Sequence, residues 1–152
     1  MKAVSDFEDI LACFAELEVR YLIVGGLAFI FHAKPRYTKD IDLWVDDDPE
    51  NVARVNRALA DFGSPALLDP ADPDEILQLG SAPHRIDILR KVVEFDFGAA
   101  WERRIRGTYG DAPANWIDLD SLIAIKSRID HPRHREDVRV LMMVKEGRAP
   151  GE

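Results

Sequence analysis

The chain has 152 residues, 47% of them apolar, which suits one domain with a proper core and is too short for two of ordinary size. Lys and Arg number 20 against 28 Asp and Glu, a formal charge of −8, which argues against a generic basic coat for wrapping duplex DNA. The acidity is uneven: residues 1–83 carry 7 basic and 16 acidic side chains, and residues 84–152 carry 13 and 12.

The start, Met1 to Asp9, has acids where the apolar run of a secretory leader would stand. The longest apolar run, 22–31, is far short of the roughly 20 residues a bilayer span needs. One cysteine, Cys13, leaves no internal disulfide framework. A soluble, cytoplasmic protein without membrane contact is the expectation.

Ser5-Asp6-Phe7-Glu8 reads as a capping box, and Phe7, Ile10, Leu11, Phe14 and Leu17 then recur at helical spacing. Tyr21-Leu22-Ile23-Val24 is continuous and apolar, as a strand buried on both faces should be. Gly25-Gly26 breaks it and leads into a short helix over 27–32. After the turn Lys34-Pro35-Arg36-Tyr37, a second strand is expected over 38–45. Asp48-Pro49 starts a helix in which Val52, Val55, Leu59 and Phe62 form the apolar side, up to Gly63. Residues 64–74 hold three prolines and three aspartates and read as a loop.

A third strand is expected over 84–89 and a helix over 95–104. Trp116-Ile117 reads as a short edge strand. Asp118 or Asp120 caps a helix reaching Ile129. His131-Pro132 interrupts, and a last helix from about Arg133 should bury Val138, Leu141 and Met142. Strands and helices interleave in one unit of the α+β (α/β) class.

The chemistry rests on three acids. Asp40 and Asp42, two apart on a strand, point to one face while Ile41 and Leu43 point to the other. Two carboxylates about 6 Å apart repel by about 3 kcal/mol at an effective dielectric of 20. A divalent cation removes that cost, and hard oxygen ligands select Mg2+ or Mn2+. Asp87, between Ile86 and Ile88, can complete the set. A lone Asp-x-Asp is equally the solvent face of a half-exposed strand, but Gly25-Gly26 upstream shifts the balance. A strand ending in two glycines lets backbone approach a ligand, and the helix that follows offers its amides and dipole to phosphate. Phosphoryl chemistry needs both parts.

Val24-Gly25-Gly26-Leu27-Ala28, then Arg36-x-Thr38-x-Asp40-Ile41-Asp42-Leu43, then Arg85-Ile86-Asp87-Ile88-Leu89 resembles the nucleotidyltransferase superfamily related to DNA polymerase beta. The chain looks most like its small bacterial members, the minimal nucleotidyltransferases and the AbiEii-type toxin branch. The likeness runs over about 20–142 and includes Asp118 to Lys126, so 1–152 reads as a single nucleotidyltransferase domain. It implies a mixed sheet with helices packed on one side, C-terminal helices, and a metal-dependent nucleotide site. Gly25 and Gly26 would hold the phosphates of an NTP such as ATP. Asp40 and Asp42 would bind the metals. Asp87 would bind the nucleophile-side metal and activate the acceptor hydroxyl.

Lys126 borders the apolar side made by Leu122, Ile125 and Ile129. It reads either as a lysine covering core with its stem or, by the resemblance, as a cation reaching the triphosphate. Where related chains often read Arg-Pro-Lys-Asp, this one has His131-Pro132-Arg133-His134 and then Asp137. Two histidines without a third ligand make a poor zinc site, so capping and packing are expected of them. Arg103, Arg104 and Arg106 read as helix-end cations offsetting a dipole, or as contacts to an acidic or nucleic-acid acceptor.

The reading is a magnesium- or manganese-dependent transfer of an NMP from NTP to an acceptor hydroxyl, with pyrophosphate leaving. The acceptor is tRNA, a protein side chain or a small molecule. The alternatives are a non-catalytic binding module of the same fold, as in a toxin–antitoxin pair with a cognate antitoxin-like partner, and a plain nucleotide-binding regulator.

Overall fold

A computed structural model describes residues 3–81 and 83–148. In chain order the elements are α1 (Ser5–Glu16), β1 (Tyr21–Val24), α2 (Gly25–His32), β2 (Asp40–Val45), α3 (Pro49–Phe62), β3 (Ile76–Leu79), β4 (Arg85–Leu89), α4 (Phe97–Glu102), β5 (Ile105–Tyr109), β6 (Ala112–Trp116), α5 (Leu119–Ser127) and α6 (Pro132–Lys145). One six-stranded mixed sheet runs β3-β4-β2-β1-β6-β5. β2 pairs with β4 in parallel and with β1 antiparallel, and β1 meets β6 in parallel. The class is α+β with a mixed sheet, as the sequence implies, but helices pack on both faces of the sheet and not on one side as expected.

Strand parity builds two cores. Tyr21, Ile23, Ile41, Leu43, Val45, Ile86 and Ile88 face one way and pack with α1 and α3. Leu22, Val24 and Trp44 face the other way and pack with Phe29, Leu122, Ile125, Val140 and Leu141 of α2, α5 and α6. The alternating registers of β2 and β4 thus give one face wholly to a helical layer. They leave the other face apolar only in its middle. The acids lie beside that middle.

Several local expectations change. Among the described residues no side chain caps α1; Val4 is its N-cap residue and Ser5 lies inside the helix. Glu8 does not reach back: it accepts from Asp111 N at 2.8 Å and so fixes the β5–β6 turn. The helix after β1 begins at Gly25 itself, and β2 starts at Asp40 and not at residue 38, because 34–39 is irregular. Proline at the first helical position does start α3, and Gly63 closes it in the left-handed region.

The 95–104 helix is only α4, and the chain past it turns into β5, an element the sequence reading lacks. Trp116 is no edge residue: β6 is interior, and Trp116 pairs with both Ile23 and Ile105. β3 is also new. In α6 the buried residues are Asp137, Val140, Leu141 and Met143, while Val138 is half-buried and Met142 is exposed. Leu141 is buried as expected, and its stripe is completed by Asp137 and Val140, four and one residues before it, and by Met143.

Asp118, not Asp120, caps α5, accepting from Ser121 N at 3.1 Å. His131 caps α6 through Nδ1, which accepts from Arg133 N at 3.1 Å. Arg103 reaches Asp120 at 2.8 Å and Asp118 at 3.4 Å, so it ties α4 to the start of α5. Among the described residues no helix is long and apolar enough to cross a membrane.

Candidate active site

The parallel register of β2 and β4 sets Asp42 directly beside Asp87 and Asp40 beside Arg85. Val24, the last residue of β1, is paired with Asp42 on the other side. All three acids therefore project from the same sheet face, next to the start of α2. Asp87 is buried, and Asp42 and Asp40 are half-buried.

Gly25 sits at φ +69°, and a Cβ there would overlap Asp42 Oδ2. The glycine is required twice over: by the left-handed backbone and by the approach of the carboxylate. At Gly26 a Cβ would come within 2.9 Å of Thr38 Oγ1, which packs the loop ahead of β2 against the helix start. Among the described residues no side chain caps α2, so its first amides remain available to an anion. Gly25→Ala should destabilise the protein by about 1–3 kcal/mol through strain and displacement of Asp42. Chemical denaturation checks this; an unchanged midpoint would mean that the helix start can shift to absorb a methyl group.

Electrostatics at the acids are unbalanced. The Asp42 carboxyl is pushed up to about 6, first by burial, then by the charges of Asp87 and Asp40 and a hydrogen bond with Asp87; Arg85 pulls the other way. Arg85 Nε donates to Asp87 Oδ1 at 2.9 Å, and its Nη2 donates to Asp87 Oδ2 at 3.3 Å and Asp40 Oδ2 at 3.2 Å. One guanidinium thus bridges two of the three acids. Its own hydrogen bonds to Asp87, then the Asp87 charge, hold it firmly in the charged form.

Among the described residues no three acids, histidines or cysteines are already gathered as a metal cage. Arg85 occupies the oxygens of Asp40 and Asp87 that such a cage would use. The donor chemistry nevertheless fits a hard divalent cation: three carboxylates converge on one face, and two of them are close enough to share a hydrogen bond.

A cavity of about 180 Å³ opens beside the acids, lined among others by Gly25, Asp42, Leu122, Lys126 and His134. Lys126 is not a lysine lying over core with its head in water. It is 5% exposed, and its Nζ donates to Asp137 Oδ2 at 2.9 Å. Burial pulls the ammonium down while Asp137 pulls it up. Asp137 also accepts two bonds from Arg36, at 2.8 and 3.1 Å. His134 lines the cavity with a buried Nδ1 that has no partner among the described residues. Burial, then Lys126, lowers it, keeping the ring neutral near pH 7.

Sequence reasoning placed Gly25, Gly26, Asp40, Asp42, Asp87 and Lys126 in one site, and the fold brings all six to one end of the sheet. It did not assign Arg85, Arg36 or Asp137. Arg85 carried a signal, since it is two residues before Asp87 and shares its strand parity. Arg36 and Asp137 stand in the quoted motifs, but they are 101 positions apart and nothing local pairs them.

No protein-family model matches the chain, and no curated protein matches it. Solved structures do. The lincosamide antibiotic adenylyltransferase LnuA, in its lincomycin-bound structure, superposes with a TM-score of 0.61 at 18% identity, over 94% of this chain and 99% of that one. ANT(2'')-Ia in complex with adenylyl-2''-tobramycin gives 0.56 at 17% identity, over 94% and 88%. An antigenic nucleotidyltransferase-like protein from Paracoccidioides brasiliensis gives 0.53 at 14%, over 93% and 76%. The chain shares the fold of these nucleotidyltransferase structures.

Proposed function

We propose that the protein is an enzyme that transfers a nucleoside monophosphate from an NTP to an acceptor hydroxyl, releasing pyrophosphate. The observation that carries this reading is the meeting of Asp40, Asp42 and Asp87 on one sheet face, beside the uncapped start of α2 and a cavity lined by Lys126.

In this reading Asp40, Asp42 and Asp87 hold Mg2+ or Mn2+, which when bound neutralises phosphate charge and polarises the reacting oxygens. The backbone of Gly25 and Gly26 receives phosphate oxygens without side-chain interference. Lys126 supplies a fixed positive charge toward the triphosphate. Asp87, the most buried of the three acids, orients the acceptor hydroxyl and takes its proton as the new bond to phosphorus forms. Catalysis is then positioning and charge neutralisation, with no covalent enzyme intermediate required. The neighbours lincosamide adenylyltransferase LnuA and ANT(2'')-Ia bound to adenylyl-2''-tobramycin favour a small hydroxylated acceptor over tRNA or a protein.

The test is pyrophosphate release from labelled NTPs with Mn2+, across a panel of hydroxylated small molecules that includes lincosamides and aminoglycosides. Acceptor-dependent release that Asp87→Asn lowers about a hundredfold or more is the expected result. Equal release by wild type and Asp87→Asn would remove the assignment. Failure of the wild type to bind any NTP would remove the function altogether.

A further inference from the structure

Asp137 is 4% exposed, on α6, and carries two cations at once. Arg36 grips it with two parallel bonds, and Lys126 Nζ donates to Oδ2. One cation is enough to neutralise the charge of a buried carboxylate. The second cation leaves a positive surplus in the interior, which is costly unless an anion completes it.

The surplus lies on the lysine. Arg36 spends two N–H groups on Asp137 and rests its guanidinium 3.9 Å from the centre of the Phe29 ring, so it is locked in place. Lys126 makes one hydrogen bond among the described residues, to Asp137, which leaves two of its three N–H groups for a ligand. It also lines the cavity that Gly25 and Asp42 line, whereas a lysine kept for structure alone had no need to face that space. Arg36 stands four residues ahead of Asp40, so Asp137 joins the loop leading to the acid strand to the lysine of α5.

We propose that Asp137 is a positioning residue: anchored by Arg36, it aims the Lys126 ammonium into the cavity to receive a polyphosphate. This rests on the function proposed above and adds to it two residues that touch no substrate themselves. Asp137 gives direction to the lysine, and Arg36 gives direction to Asp137.

The probe is the Mn2+ complex of inorganic tripolyphosphate, which carries no nucleobase, with Mn2+ alone as the control; calorimetry reads both. Wild type should bind the complex. Asp137→Asn should bind it about tenfold more weakly or worse, the size expected of a misplaced charged donor, and bind Mn2+ alone as wild type does. In a Lys126→Met background Asp137→Asn should cost nothing further, because its effect passes through the lysine. Arg36→Lys keeps the charge but not the two-bond grip, so it should weaken the complex while leaving more of the fold intact; it decides the matter where Asp137→Asn does not fold. Wild-type affinity in the folded variant, or a full further loss in the Lys126→Met background, would overturn the proposal. Should wild type bind and turn over NTP while Asp137→Asn binds equally well, only this inference falls. Should wild type bind neither tripolyphosphate nor NTP, the proposed function falls with it.

Discussion

Asp42→Asn should raise the melting temperature of the metal-free protein at pH 7 and, in the same molecule, abolish transfer. Asparagine keeps the shape of the side chain and can still donate a hydrogen bond to Asp87. It removes the charge that burial, Asp87 and Asp40 all oppose. A carboxyl displaced from its usual range to about 6 represents about 3 kcal/mol at neutral pH. Relief of about 2 kcal/mol of that strain should raise the melting temperature by about 4–8 °C, at about 2–4 °C per kcal/mol in a chain of this size.

The pH dependence gives a sharper signature. Asp42 takes up a proton on folding between its unfolded value, near 4, and its folded value of about 6. Its favourable contribution is complete below about pH 4 and is lost as pH rises through 6. His134 works in the opposite direction, since its lowered folded value makes stability fall as pH drops below about 6.5. Subtracting the variant's profile from that of the wild type cancels His134 and leaves Asp42. The variant's advantage should be largest at pH 7–8 and vanish near pH 4. A pH-independent difference would assign the effect to packing and not to charge.

Metal supplies the counterpart. A cation binding only the folded wild type at 100 times its dissociation constant adds about 2.7 kcal/mol, so Mn2+ should raise the wild-type melting temperature and reverse the order of the two proteins. Equal responses to Mn2+ would mean that Asp42 is not a ligand.

The legible part of this site is the part carried by parity within strands and by local breaks. Ile41 and Leu43 had to face a core, so Asp40 and Asp42 had to face away together; Ile86 and Ile88 force the same on Asp87. Gly25 was legible as a glycine pair breaking an apolar strand ahead of a helix; the structure adds the positive φ and the Asp42 carboxylate against it. What stayed hidden was set by tertiary choice. Ser5 and Glu8 satisfy the capping-box pattern, yet Glu8 is worth more to the Gly110-Asp111 turn, whose Asp111 amide it binds. That turn belongs to the β5–β6 hairpin. Its strand β5 went unread because Arg103, Arg104 and Arg106 look like the end of a helix, and Gly107 breaks the strand pattern. β3 leaves Ile76 exposed, so its pattern is not that of a half-buried strand. Lys126 was placed at the site, but its partner was not, because α5 and α6 meet only after folding.

Arg85→Gln should bind Mn2+ more tightly than wild type, by about tenfold or more. The guanidinium and a divalent cation compete for the same oxygens: Arg85 holds both oxygens of Asp87 and Oδ2 of Asp40. Metal loading must release those bonds and then tolerate a positive charge a few ångströms away, and each step weakens binding. Glutamine removes the charge and most of the grip. Without metal the same change leaves Asp40 and Asp87 without their bridging cation, so the metal-free variant should melt lower than wild type. With saturating Mn2+ the gap should close, because the metal then does what the guanidinium did. The two readouts are Mn2+ titration followed by electron paramagnetic resonance, and melting curves with and without the ion. Tighter metal binding with a lower metal-free melting temperature identifies Arg85 as an internal counter-cation of the acid cluster. Weaker binding would place Arg85 in the loaded site as a partner of the metal's ligands, and the acids would then bind their metal with the bridge intact.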